Sequence, residues 1–400
     1  MQLIVSKAHQ RKAPFVSGNS MTTVRSITFL LLLTFISCRQ RITNDYEKTI
    51  IGEWTFVKKE SKNQNDDIPP SLSRGLFVRG YNFLPDNICE NKLGYFKRIQ
   101  GNERHEEKTL FLGTITKYKI EEDSLKIYNL NDSTWNSQKI VSITADTMTL
   151  QKNESTFFKY SKTNYRIDDS EHFDEIIISS SGCYGTCPNN DISINKNGQV
   201  IYFGDEYNTV NGYYKSKVSS AIFSKLEIDF KKANIKNLQD LYSANWTDDE
   251  TVSVTFIKDN KVVKTICDYG RQAPTEFCWA YTSARYLYQK IHLDTISNNL
   301  NYSPFKDALL KFDGMVCELS QSEGFYLWTL LLSSNETNKT FTGKYFIVNS
   351  WRREKKGVKT DGQLFQFTAN DGTTKTYDLG FNFIKANGLD KKLRSKNQYD

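Results

Sequence analysis

The sequence predicts a β-rich α+β protein made of three parts. These are an N-terminal β-barrel or sandwich over residues 50–163, a central α+β domain over 172–294 and a β-rich region over 303–390. Short runs of β-forming residues occur in all three parts, whereas the apolar spacing of an amphipathic helix is clear only twice, both times in the central part. Aromatic residues make up 13% of the 400 residues, which excludes a largely disordered chain.

The N-terminal segment has the pattern of a secretory signal over residues 1–37. The apolar run at 27–36 is too short to span a membrane, and Arg25 supplies the positive charge before it. Met21 is an alternative start position, because the segment that begins there already has the length of a signal. The run ends in FISC, which resembles a bacterial lipobox, and this resemblance implies lipidation at Cys38.

The polar residues 38–49 then form a tether to a membrane anchor. No acidic residue occurs between Cys38 and Asp45, and this absence favours the periplasmic face of the outer membrane over the cell surface. The net charge of +7 falls to +3 without residues 1–37, which hold four basic residues and no acidic ones. A near-neutral chain of this kind argues against nucleic acid as a partner.

The first part contains closely spaced strands separated by turn residues, which is typical of a barrel or sandwich. Gly52-x-Trp54 on the first strand and the hairpin at 145–150 resemble the bacterial lipocalin-like domains. The resemblance implies that Trp54 packs at a closed end and leaves two alternatives, a filled structural barrel or an open one that carries an apolar ligand. The predicted strands cover residues 51–57, 110–115, 116–120, 125–130, 138–144, 147–150 and 157–160.

The central part predicts an antiparallel sheet with two helices. Asn197-Gly198 marks a hairpin turn, Ser219 or Ser220 caps the first helix, and Pro274 suits the first turn of the second. The predicted strands cover residues 173–179, 191–194, 199–203, 251–257 and 261–266.

The central part also contains a specific motif, Gly182-Cys183-x-Gly185-x-Cys187-Pro188. With the later Tyr202-x-Gly204 and Thr247-Asp248, it is similar to an uncharacterised domain-of-unknown-function family whose members are largely envelope lipoproteins. The resemblance covers about 120 of the 400 residues. It implies no activity.

Six cysteines remain besides Cys38, in a compartment that permits disulfides. The loop that holds Cys183 and Cys187 can bring their sulfurs together, while Cys267 and Cys278 offer a second pair across a strand–helix corner. An exchange of partners between the two pairs and a thiol-redox role for Cys183 and Cys187 are the alternatives. Cys89 and Cys317 are expected to be buried or free.

The C-terminal region follows a linker at 298–303 and precedes a tail at 391–400. We expect a short helix over 305–310, because Ser303-Pro304 resembles a helix start. The apolar run at 324–332 fits either a buried strand or a buried helix. Strands are predicted at 344–348, 363–367 and 374–379, in an independent unit or an extension packed on the central domain.

No catalytic, phosphate-binding or metal-binding motif occurs in the sequence. Asp248-Asp249-Glu250 is interpreted as a solvated turn rather than a Ca²⁺ or acid–base site, and Asp268 with Arg271 as an exposed pair. The hypothesis is therefore a lipid-anchored outer-membrane protein without catalytic residues, cofactor or metal, which binds or scaffolds an envelope protein or an apolar ligand. The alternatives are the thiol-redox protein and the carrier of an apolar ligand.

Overall fold

The computed structural model describes residues 46–61, 77–103, 106–297, 305–349, 357–369 and 371–395. The signal segment, Cys38 and most of the tether lie outside these residues. No helix within the described ranges combines the length and the apolar character that crossing a membrane requires.

The N-terminal strands close into a barrel, which decides between the barrel and the sandwich that the sequence allowed. Each strand pairs antiparallel with its neighbour along the chain, and the first strand pairs with the last. The barrel strands are β1 (Gly52–Ser61), β2 (Gly80–Leu84), β3 (Ile88–Ile99), β4 (Lys108–Glu121), β5 (Ser124–Asn129), β6 (Thr134–Ile143), β7 (Thr147–Asn153) and β8 (Thr156–Lys162).

Packed aromatic side chains fill one end of the barrel. Trp54 is fully buried there, and its indole N–H donates a hydrogen bond of 2.6 Å to the carbonyl of Ile50. Phe83 packs edge-on against Tyr118 with 5.0 Å between the ring centroids. Trp54 therefore has a packing role.

The central part is an eight-stranded sheet with helices on both faces. Strand order is β13-β15-β14-β9-β10-β11-β12-β16, and every pairing is antiparallel except that of β13 with β15. The strands are β9 (Glu175–Ser180), β10 (Asn189–Asn195), β11 (Gln199–Glu206), β12 (Gly212–Lys217), β13 (Leu241–Ser243), β14 (Thr251–Lys258), β15 (Lys261–Tyr269) and β16 (Asp294–Thr295).

The alternation of side chains along β9 explains why both faces of this sheet are buried. Ile176 and Ile178 belong to one hydrophobic core, and Ile177 between them belongs to the other. Helices α1 (Ser220–Lys231) and α2 (Thr275–Ala284) cover the first face, and α3 (Gln321–Leu332) covers the second.

A second eight-stranded sheet forms the C-terminal region, with order β19-β23-β22-β21-β20-β17-β18-β24. It shares one core with α3 and the central sheet, so this region packs on the central domain. A short helix α4 (Phe383–Ala386) adds to the same core. The strands are β17 (Ala308–Phe312), β18 (Met315–Glu318), β19 (Asn335–Glu336), β20 (Tyr345–Asn349), β21 (Val358–Thr360), β22 (Leu364–Thr368), β23 (Thr374–Asp378) and β24 (Arg394–Ser395).

The helix expected over 305–310 is wrong. Ala308 and Leu310 are buried on one side of β17, which pairs with β18 and β20 in the sheet. The apolar run at 324–332 is helical, and it lacks a polar face because α3 lies between two sheets. A capping box of Ser320 and Glu323 begins this helix.

The barrel docks on the central domain through α2. The indole N–H of Trp279 donates a 2.6 Å hydrogen bond to the carbonyl of Val78, and the ring packs on Gly80. A Cβ atom at Gly80 would lie 2.1 Å from that ring, so only glycine fits there. Lys92 of the barrel, itself buried, bonds Glu53 at 2.8 Å beside this contact.

Candidate functional site

The motif loop, residues 181–188, connects β9 to β10 at one end of the central sheet. A disulfide joins Cys183 to Cys187 with their Cα atoms 5.6 Å apart, which is the first of the two pairs considered from the sequence. Tyr184 inside this small ring is 78% exposed. A strand follows the pair, whereas thiols activated for redox chemistry usually lie at a helix N-terminus.

The second disulfide considered, Cys267–Cys278, is not present, and both residues are free cysteines. Ile266 and Asp268 on β15 face the core beneath α2, where the thiol of Cys278 lies 3.4 Å from Asp268 Oδ2. Cys267 between them faces the opposite side, toward Glu323 of α3. Strand alternation thus separates the two sulfurs, and burial raises the pKa of both thiols.

A buried ion cluster lies beside the motif loop, where β14 begins. Glu250 is 3% exposed and accepts two hydrogen bonds from Arg285, at 2.7 and 3.1 Å. Arg271 adds a third contact at 3.4 Å. Burial by itself raises the pKa of Glu250, but the two guanidinium groups hold it below its usual value. The solvated turn expected for this acidic run is therefore wrong for Glu250.

Asp268 is also buried, which corrects its expected place in an exposed pair with Arg271. Its carboxylate accepts hydrogen bonds from the backbone N–H of Gln272 at 2.6 Å and the hydroxyl of Tyr281 at 3.0 Å. Arg271 has a left-handed backbone, with φ of 59°, and pairs with Glu250 instead. Burial raises the pKa of Asp268 above its usual value.

The Tyr-x-Gly part of the motif has a packing explanation. Tyr202 stacks on Tyr288 of the central core with 4.2 Å between centroids, and its hydroxyl donates to the carbonyl of Val210 at 2.9 Å. A Cβ atom at Gly204 would lie 2.4 Å from that carbonyl oxygen. The motif residues thus hold loops at this end of the sheet, and within the described ranges no group of three His, Cys, Asp or Glu side chains is arranged to hold a metal ion.

Asp191 is a fully buried acid on the face of the central sheet that α3 covers. Its Oδ1 accepts a hydrogen bond of 2.9 Å from the side chain of Gln321. Burial raises its pKa to about 6. No sequence pattern singles out this residue, because one acid within a short strand has no distinctive signature.

The raised pKa makes the stability of the fold depend on pH. Between pH 3.8, the usual pKa of Asp, and about pH 6, the Asp191 carboxyl is ionised in the unfolded chain but protonated in the folded one. The free energy of unfolding therefore falls as pH rises through this window, by about 3 kcal/mol in total. We expect Asp191→Asn to reduce this fall in the free energy of unfolding by about the same amount, in urea unfolding measured from pH 4 to pH 7. The exposed Asp146→Asn is the control, and an unchanged slope in Asp191→Asn would contradict the prediction.

The barrel contains a cavity of about 490 Å³. Strands β2, β3, β5, β6, β7 and β8 all contribute to its wall, so the cavity lies inside the barrel. This volume suits a small organic molecule. Its polar and aromatic lining includes Arg79, Tyr81, Asn91, Tyr95, Asn129, Asn136, Gln138, Lys152 and Phe158.

Two cations line this cavity, and no acidic residue lies among the residues identified in its wall. The guanidinium of Arg79 lies 5.4 Å from the centre of the Phe158 ring, and the ammonium of Lys152 lies 6.0 Å from the same ring. The cavity is thus more polar than the apolar-ligand hypothesis expects. Sequence reasoning missed Arg79 because β2 and β3 were not predicted.

Residues 174–288 match a domain of unknown function, DUF6438. The matched segment runs from the start of β9 to beyond α2, so it includes the motif loop and the Glu250 cluster and excludes the barrel. No curated protein matches the chain.

Proposed function

We propose that this chain is a lipid-anchored protein of the bacterial outer membrane whose N-terminal, lipocalin-like barrel binds a small molecule without catalysis. The observation that carries the proposal is the 490 Å³ cavity inside the barrel. A closed barrel that is packed around Trp54 and holds a cavity among its other strands suits a binding role. The central domain, with its buried motif contacts, is the scaffold on which the barrel docks.

The anchor is proposed from the sequence alone. The apolar run and the FISC segment favour attachment through Cys38, and the lack of acidic residues before Asp45 favours the periplasmic face. Several acyl chains on one cysteine make membrane attachment effectively permanent. Besides the small molecule, an envelope protein at the same membrane is the second class of partner that we propose.

Labelling with radioactive palmitate in the host tests the anchor. We expect strong incorporation into the wild-type chain and loss of nearly all label in Cys38→Ala, because Cys38 is the proposed attachment point. Cys89→Ala, at a cysteine that the barrel buries, serves as the control and should keep the label. Equal labelling of the wild type and Cys38→Ala would contradict the anchor.

Native mass spectrometry of the protein released from its own membrane tests the binding role. We expect the wild type to carry an additional small-molecule mass, and Asn136→Trp to lack it because the indole fills the cavity mouth. Asn136 is exposed, so this change should leave the fold intact. The same bound mass on both proteins would place the molecule elsewhere, and no bound mass on either would contradict the binding role.

A thiol-redox role for Cys183 and Cys187 is the second candidate, favoured by the disulfide in an exposed loop. Incubation with glutathione, followed by alkylation and mass mapping, distinguishes a redox-active pair from a structural disulfide. A pair that is readily reduced and alkylated favours redox exchange, while a pair that resists reduction favours a structural bond.

A further inference from the structure

The charge of the barrel cavity carries an inference about its ligand. Arg79 lies just before β2, is half-buried, and lines the cavity together with Lys152. Among the described residues, no carboxylate lies within ion-pair distance of either cation. Both cations instead lie near the ring of Phe158.

This arrangement leaves the guanidinium of Arg79 only weakly compensated. It interacts with the phenols of Tyr81 and Tyr160, which are neutral at physiological pH, and with the face of Phe158. Arginines partly withdrawn from water are commonly paired with carboxylate or phosphate groups, which match the planar guanidinium with two parallel hydrogen bonds. An anion in the cavity would supply that missing partner.

The remaining wall indicates what accompanies the negative charge. The rings of Tyr81, Tyr95 and Phe158 offer flat apolar contact surface. The side-chain oxygen of Gln138 is buried and has no hydrogen-bond partner, so it can accept a hydrogen bond from a ligand. An aromatic or apolar body with one anionic group fits this lining better than an uncharged apolar molecule does.

Contacts with the central domain fix the backbone on either side of Arg79. Trp279 of α2 bonds the carbonyl of the preceding residue, Val78, and its ring covers the following residue, Gly80. The carbonyl of Arg79 itself accepts a hydrogen bond of 3.0 Å from the N–H of Phe56. Contacts on both sides thus fix where the Arg79 side chain enters the barrel, which is the preorganisation that a binding residue needs.

We propose that the barrel binds a small organic anion and that Arg79 is the residue that pairs with its charge. This inference rests on the proposed binding role of the cavity and adds the chemical class of the ligand. Lys152, which is exposed at the mouth, contributes attraction at longer range.

Two fluorescent probes of similar shape test the inference on the purified protein. The first, 8-anilinonaphthalene-1-sulfonate, is an anion, and the second, N-phenyl-1-naphthylamine, is its uncharged counterpart. We expect Arg79→Met to weaken binding of the anionic probe about tenfold or more and to change binding of the neutral probe less than about twofold. Arg79→Lys keeps the charge and should restore most of the affinity for the anion.

Two control variants separate the outcomes. Arg98→Met removes an exposed charge outside the cavity and should leave both affinities unchanged, while Asn136→Trp should abolish binding of both probes. If Asn136→Trp abolishes both and Arg79→Met changes neither, the anion inference is overturned and cavity binding stands. Equal weakening of both probes in Arg79→Met would also overturn it, because Arg79 would then shape the cavity without selecting charge. If Asn136→Trp has no effect on either probe, the binding role itself fails and the inference with it.

Discussion

Glu250→Ala is expected to lower the free energy of unfolding by about 3–5 kcal/mol, because it leaves Arg285 buried without its carboxylate. The side chains of Glu250 and Arg285 are each 4% exposed and joined by two hydrogen bonds, so water cannot replace the lost partner. Arg271 loses its contact with Glu250 at the same time. Urea unfolding followed by circular dichroism measures the change.

Glu336→Ala is the matched control for this prediction. Its carboxylate pairs with Lys375 at 3.4 Å, but both side chains are more than half exposed, and such pairs add little stability. Unfolding of the two variants at the same urea concentration would contradict a stabilising role for the buried ion cluster. Glu250→Ala combined with Arg285→Met should recover part of the loss, since the buried charge of Arg285 is then absent and only the longer contact of Arg271 with Glu250 is lost.

Trp279→Ala is expected to cost about 3–5 kcal/mol in the free energy of unfolding, because it opens a cavity where the barrel docks on α2. The indole is 6% exposed, covers Gly80 and bonds the carbonyl of Val78. Loss of that hydrogen bond leaves a buried carbonyl without its donor, which adds to the cost. Trp279→Phe keeps a ring but not the N–H, and should cost less than Trp279→Ala.

Trp135→Ala removes the same type of side chain from an exposed site and serves as its control. Trp135 is 40% exposed and packs edge-on against Tyr128 on the barrel surface. We expect a change well below that of Trp279→Ala. Equal destabilisation by the two substitutions would show that docking on α2 contributes no special stability.

The architecture was predictable where local patterns and burial agree. Alternating residues and turn signals such as Asn197-Gly198 predict the hairpin of β10 and β11, and helical spacing predicts α1 and α2. Strands β2 and β3 escaped prediction although Asp86 and Asn87 form a tight turn with positive φ values of 60° and 59°. The run at 324–332 could not be assigned to a helix or a strand, because α3 is apolar on all sides. Two sheets cover it, and a single sequence does not show such long-range burial.

The candidate site was less predictable than the fold. Pairing of Cys183 with Cys187 follows from a short loop rich in glycine, since neighbouring residues come together whatever the tertiary fold. The separation of Cys267 from Cys278, by contrast, depends on which face of β15 each one meets. The cavity at Arg79 arises from six strands spread along the barrel, so only the closed structure brings its lining together.

A crystal structure of the protein purified from its own cell envelope tests the binding role of the barrel most directly. We expect electron density for a small molecule in the barrel cavity, within hydrogen-bond distance of the Arg79 guanidinium and beside the Phe158 ring. A cavity that holds only water, together with native mass spectra that show no bound molecule, would contradict a binding role for the barrel.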